Sequence, residues 1–338
     1  MAAHFFGLDI GRSYIKIAQV KISSKKTLSN LASLSLPVDP VKAESEDDIK
    51  KLAEAVKSCV RSAKIGASEC VVSILESQAV TRLIEMPNLT DKELSAAINW
   101  EADQYIPLPI KDVNLHYQVI SRPLGAGGKM KILLVAAPKK VIAKYTQIVK
   151  KAGFVPRALE TESSALSRAL AKRNEPPVLI VVFGGQSTEI VIARDSSVLF
   201  SRSLASGGLA LTRVLMSEFN LPFNQAEEYK MAYGLLDDKL SGKIAMVLRP
   251  VLDVIVSEIL KALEFSKTYL DGVQLARITI CGGGAYLPGL SQYLVEKTSI
   301  EVSVADPWAD FVKEGLILKV PSQGSFYCVA TGLALYGG

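Results

Sequence analysis

Two glycine turns, half a chain apart, carry the residues best suited to chemistry. The first is Asp9-Ile10-Gly11-Arg12-Ser13-Tyr14-Ile15-Lys16 and the second is Gly184-Gly185-Gln186-Ser187-Thr188. Each lies between two apolar runs and reads as strand, tight turn, strand. Glycine lets a backbone approach phosphate oxygens, and successive amides in such a turn form an anion nest. Arg12, Ser13 and Lys16 add two charges and a hydroxyl to the first turn; Gln186, Ser187 and Thr188 add an amide and two hydroxyls to the second. A third cluster, Gly282-Gly283-Gly284-Ala285 followed by Pro288-Gly289, joins a strand to a helix. Two facing hairpin turns with a third beside them can hold a phosphate tail and a base, so the pattern points to a nucleotide between two related halves.

The elements that position these turns repeat. Strands are expected at Phe5–Ile10, Tyr14–Ile22 and Leu31–Val38, then a helix whose face is Ile49, Leu52, Ala53, Val56, Cys59 and Val60, then a buried strand at Cys70–Leu75. The second half restarts with strands at Val178–Phe183, Glu189–Ala193 and Val198–Leu204. Helices follow after Gly207-Gly208, over Asn224–Gly234 and over Lys243–Leu270, and Arg277–Cys281 is a later buried strand. Between the halves, residues 85–153 read as a small inserted α+β module. Thr90 and Glu93 form a capping box ahead of a stripe of Leu94, Ile98, Ala102 and Tyr105, ended by Pro107 and Pro109. Strands Val113–Ser121 and Lys131–Ala137 flank a Gly125–Gly128 turn, and a helix with Val141, Tyr145, Ile148 and Val149 on one face closes the module at Gly153. Trp100 falls opposite the stripe; it either packs into a second layer or offers an aromatic anchor to a partner. The fold class is thus α/β and internally duplicated.

Composition narrows the function classes. A 338-residue chain with 49% hydrophobic and 22% charged residues is long enough for two or more packed domains. The net charge of +5 is modest and dispersed, which argues against a nucleic-acid partner. Four cysteines without CxxC spacing, and two histidines, make a zinc or iron–sulfur site unexpected and suit a reducing cytoplasm. No signal-peptide pattern or apolar run of about 20 residues is seen, so direct membrane insertion is not expected.

With these turns the chain resembles the actin-like ATPase superfamily. Within that superfamily it is most similar to the PilM branch of type IV pilus assembly and more distantly to the FtsA branch. The marker segments are Gly7 to Lys16, Asn99-Trp100-Glu101-Ala102-Asp103-Gln104-Tyr105-Ile106-Pro107, Gly207-Gly208 to Thr212, Ala226-Glu227 to Lys230, and Gly282 to Leu290. The resemblance implies an actin-like (ribonuclease H-like) duplicated fold. Its first lobe would be residues 1–84, completed by 154–177 and 321–338; an inserted subdomain 1C would occupy 85–153, and a second lobe 178–320. It implies ATP or ADP with Mg2+ as ligands. The first turn would be a phosphate loop, with Asp9 organising magnesium-bound water as a catalytic group. Gly282, Gly283, Gly284, Ala285 and Pro288 would form the adenosine turn, and Glu227 and Lys230 would reach ribose and base.

The second turn departs from the superfamily pattern. Aligning on Gly184 puts Val182 where an aspartate is usual, and a positioned acid or base typically contributes ~10²–10⁴-fold in rate. Slow or absent hydrolysis is therefore expected, with binding retained. Glu160 and Glu162 lie in the segment like the superfamily's first connecting helix; Glu162 would orient a water or serve as a helix-start carboxylate. The implied partner is the cytoplasmic N-terminus of a PilN-like bitopic membrane protein. Its groove would lie between the first subdomain and the insertion, with Gln104, Tyr105 and Val113–Ile120 as wall. Pilus motor ATPases and self-association are further expected contacts. The location would be cytoplasmic, peripheral at the inner membrane through that partner. The competing expectations are a sugar- or acetate-kinase-like phosphotransferase, for which no acceptor motif is found, and an FtsA-like filament-forming membrane tether.

Overall fold

The computed structural model describes residues 5–123, 128–270, 273, 275–313 and 315–337. Residues 125–127 of the expected glycine-rich turn lie outside them. The opening apolar run forms β1 (Phe5–Ile10), which turns into β2 (Tyr14–Ile22) and then β3 (Lys26–Ser35), all antiparallel. The third strand starts earlier than the expected Leu31, because a tight turn at Ser23–Lys25 returns the chain at once and Leu28 fills the core. The helix α1 (Glu46–Ser62) carries a reciprocal capping box between Ser45 and Asp48, and its acidic first turn suits the positive end of the dipole. Ile49, Leu52, Val56, Cys59 and Val60 form its buried stripe. The strand β4 (Glu69–Ile74) then pairs parallel with β1.

The chain next leaves this sheet. Strand β5 (Val80–Pro87), helix α2 (Asp91–Ala102) and strands β6 (Val113–Ser121) and β7 (Lys129–Pro138) build a separate sheet in the order β5-β7-β6. The helix α3 (Lys139–Lys151) belongs elsewhere: Val141, Tyr145, Ile148 and Val149 enter the core that holds Phe6 and Val56. The insertion expected over 85–153 is thus corrected to 80–138. Every residue of β5 from Val80 onward pairs with β7, and the apolar face of α3 is buried in the first lobe. Helix α2 also stops at Ala102, short of Tyr105, which sits in the following turn and is 40% exposed. Trp100 is 83% exposed, so the second-layer alternative does not hold.

The strand β8 (Val155–Thr161) completes a five-stranded sheet in the order β3-β2-β1-β4-β8, and α4 (Glu162–Leu170) follows it. The second half repeats the arrangement with β9 (Val178–Phe183), β10 (Thr188–Arg194) and β11 (Ser197–Leu204). Helices α5 (Gly208–Phe219), α6 (Phe223–Tyr233) and α7 (Lys243–Tyr269) come next, then β12 (Arg277–Cys281), α8 (Leu290–Thr298) and β13 (Glu301–Val304). The order β11-β10-β9-β12-β13 matches the first sheet strand for strand: an antiparallel meander, then two parallel strands.

After a short α9 (Leu316–Lys319), the chain returns to the first lobe as α10 (Cys328–Ala334). This helix lies tight against β1 and α4. A Cβ on Gly7 would fall 2.1 Å from the Ala330 oxygen, and one on Gly332 would fall 1.9 Å from the Ala165 oxygen. Only glycine permits that approach from both sides.

Candidate functional site

The two hairpins meet at their turns. In the first, the Gly11 amide donates to the Tyr14 carbonyl, and Asp9 lies opposite Lys16 in the strand register. In the second, the Gly184 amide donates to the Ser187 carbonyl, and Val182 lies opposite Glu189. The two turns share one geometry, and their tips touch. A Cβ on Gly185 would come 3.1 Å from Ser13 Oγ, and Gln186 Nε2 donates to the Arg12 carbonyl at 3.5 Å.

Around them opens a cleft of about 640 Å³. Gly11, Arg12, Ser13 and Lys16 line it from the first turn, and Gly184, Gly185, Gln186 and Ser187 from the second. Gly207, Gly208, Glu227 and Lys230 line it from the second lobe's helices, with Gly282, Gly283 and Gly284 from the third cluster. Gly207 has no room for a side chain, since a Cβ would meet the Gly184 oxygen at 2.5 Å. Gly282 has φ +85°, a left-handed conformation that favours glycine. Leu211, Phe223, Met231, Ile255 and Leu287 give the second-lobe end an apolar lining, suited to the face of a flat ring.

Four residues expected at the cleft do not line it. Asp9 is fully buried beneath it, with Oδ2 paired to Lys16 Nζ at 2.5 Å and Oδ1 accepting from Ser73 Oγ at 2.9 Å. Thr188 donates its hydroxyl to the Ser206 carbonyl. Ala285 is buried, and Pro288 offers its carbonyl to the Leu235 amide. Lys230 lines the cleft but is committed within the protein: Nζ donates to the Gly208 carbonyl, to Thr212 Oγ1 and to Glu227 Oε1. Arg12 is paired with Asp39 at 2.7 Å. The first two amides of α5, Gly208 and Leu209, donate to Gly184 and Gly185 carbonyls and so brace the second turn.

The floor of the cleft is acidic and buried. Glu162, at the start of α4, accepts from the Glu76 amide at 2.9 Å. Burial chiefly, then the Glu189 and Asp9 carboxylates, hold it well above the ordinary carboxylate range. Burial also pushes Glu189 up to about 7, although the Ser187 hydroxyl, donating to it at 2.6 Å, works the other way. Burial depresses the Lys16 ammonium, and Asp9 more than reverses that, so Lys16 stays above its usual value. Glu76 is likewise buried; it accepts from Thr81 Oγ1, Ser201 Oγ and the Ser163 amide, tying the root of β5 to α4 and to β11. Glu160 faces elsewhere and pairs with Arg168. Glu189 and Glu76 are the residues that sequence reasoning missed. The signal for Glu189 was its spacing from Val182, which equals that of Lys16 from Asp9.

A family model described as type IV pilus assembly protein PilM matches residues 7–337. The chain belongs to the PilM family. A solved PilM–PilN type IV pilus biogenesis complex shares 27% identity with it, covering 100% of this chain and 99% of that one with a TM-score of 0.84. Cell division protein FtsA of Streptococcus pneumoniae serotype 2 is 21% identical over 344 residues, which is 90% of this chain and 75% of the relative. MreB5 of Spiroplasma citri, solved bound to AMPPNP, is 15% identical with a TM-score of 0.53, over 98% and 95% of the two chains. The fold is therefore actin-like, and a PilM family member with this architecture is a type IV pilus assembly protein. Among the described residues no helix is long and apolar enough to cross a membrane.

Proposed function

We propose that this PilM-family chain is a nucleotide-binding adaptor. It holds ATP or ADP between its lobes and the cytoplasmic tail of a PilN-like membrane protein beside its insertion. The observation that carries this reading is the pair of hairpin turns in matching register, facing each other across one cleft with the third glycine turn at its apolar end. Ser13 and Ser187 supply hydroxyls, and Lys16 a charge, toward a phosphate tail. The apolar end takes the base, and Glu227 offers its second oxygen to the ribose. MreB5 with AMPPNP supports nucleotide as the ligand of this fold, and the PilM–PilN complex supports the partner.

Magnesium fits only in one way. Among the described residues no group of three or more His, Cys, Asp or Glu side chains is placed to hold an ion. The donor set suits a magnesium bound by phosphate oxygens and water, with Asp9 behind it. Val182, apolar and at the cleft wall, fits slow or absent hydrolysis. Gln104, Tyr105 and β6 form the wall for the tail, and Trp100 projects one helical turn before Gln104. The chain would then sit at the inner face of the inner membrane through its partner.

The test is calorimetry with ADP and ATP, followed by capture of the chain on an immobilised PilN-like tail with and without ATP. Binding of nucleotide, and a tail affinity that changes with it, is the expected result. A folded protein that takes up neither nucleotide abolishes the reading.

A further inference from the structure

The second hairpin places a carboxylate directly behind a hydroxyl of its own turn. Ser187 and Glu189 both line the cleft, both are more than nine-tenths buried, and the serine hydroxyl donates to Glu189 Oε1 at 2.6 Å. A serine hydroxyl carries one hydrogen and two lone pairs. While it donates to an ionised Glu189, it can show only lone pairs to the cleft. Those lone pairs repel phosphate oxygens.

We infer that Glu189 is a positioning residue that sets the direction of the Ser187 hydroxyl, so that closing the second turn on a phosphate requires one proton on Glu189. With that proton, Glu189 donates to Ser187 Oγ and the serine hydrogen turns to a phosphate oxygen. The proton comes from a buffer acid, whose conjugate base stays in solution; no covalent bond to the ligand forms or breaks. This rests on the nucleotide reading above and adds a proton to its stoichiometry.

The surroundings agree. The charged groups that act on Glu189 are Asp9 on β1, Lys16 on β2, Glu76 in the turn after β4 and Glu162 at the start of α4. Three of the four are acidic, and Lys16 is taken by Asp9. The register explains why only the second turn needs this device. Lys16 occupies in the first hairpin the position that Glu189 holds in the second, and an ammonium only donates.

The test is calorimetric titration with ADP and saturating magnesium, which keeps the ligand's own phosphates ionised, in buffers of different ionisation heat. The wild-type protein takes up part of one proton per ADP near neutral pH, and its affinity weakens by up to about tenfold per pH unit on the alkaline side. Glu189→Gln binds ADP without proton uptake and with flat affinity from pH 6 to 8. Ser187→Ala, with the carboxylate untouched, also loses the uptake and binds more weakly at pH 6. Wild-type binding without proton uptake, or uptake that persists in Ser187→Ala, overturns the inference and leaves the nucleotide reading standing. No binding of ADP to folded wild-type protein overturns both.

Discussion

Replacing Lys16 with methionine removes the cation paired with Asp9 beneath the cleft while keeping most of the side-chain volume. Asp9 is 0% exposed and Lys16 is 15% exposed along its side chain, with 2.5 Å between the charged atoms. Ser73 remains as the carboxylate's other hydrogen-bond partner, and its hydroxyl carries no charge. Breaking a buried pair by removing one member typically costs 3–5 kcal/mol, because the charge left behind has neither water nor counter-ion. Taking both charges away costs far less, since each desolvation penalty goes with its charge. Lys16→Met should therefore destabilise by about 3–5 kcal/mol, and Asp9→Asn with Lys16→Met should recover most of that loss. Trp308 provides the readout. It is 1% exposed and donates to Thr331 Oγ1 of α10, so its fluorescence follows the first lobe through a urea titration. A loss below about 1 kcal/mol in the single variant, or an equal loss in the double variant, would refute the argument that this pair is a desolvated ion pair.

Gly332→Ala should lower first-lobe stability by about 1–3 kcal/mol or more, read as a fall in melting temperature, because its Cβ meets a backbone oxygen at 1.9 Å; an unchanged melting temperature would contradict the close packing. Trp100→Ala should leave stability within about 0.5 kcal/mol yet weaken tail binding at least about fivefold by fluorescence polarisation; full affinity would remove Trp100 from the groove. Glu189 binds its proton more tightly folded, at about 7 against an ordinary 4.5, so native stability falls as pH rises through that window. The share of Glu189 in that fall should be about 3 kcal/mol by pH 8, so Glu189→Gln should show a shallower fall, left to Glu162, with urea midpoints at pH 5 and 8 as the check. All four thiols are buried, and burial pushes Cys59 and Cys70 up to about 12. A thiol-specific dye should therefore label none of them before unfolding; prompt labelling at pH 8 would contradict that burial.

What the sequence made legible was local. The turns at Gly11 and Gly184, the capping box at Thr90, and the stripe from Ile49 to Val60 all depend on neighbours a few residues apart. The repeat of meander and helix was readable for the same reason. What escaped depended on pairing between distant segments. Nothing local tells that Val80 faces Ala136 across two strands, so the insertion's first edge was set too late. Periodicity found the face of α3 but not the body it packs on. Val182 was read as a lost carboxylate, yet Glu189 went unnoticed because its role depends on strand register and burial together. Lys230 was expected to reach the ligand. Its engagement by Gly208, Thr212 and Glu227 follows only from how α5 and α6 meet.

The seating of α10 has a further consequence for how the polypeptide is made. Residues 328–334 cover β1, laid down more than three hundred residues earlier, whereas the second sheet draws its strands from one uninterrupted stretch. During synthesis the later half can reach its native arrangement while the earlier half still lacks a wall, since domains fold as units once their segments have emerged. The first lobe is therefore the last to be completed, and a nascent chain stalled before residue 328 presents an open apolar sheet to chaperones.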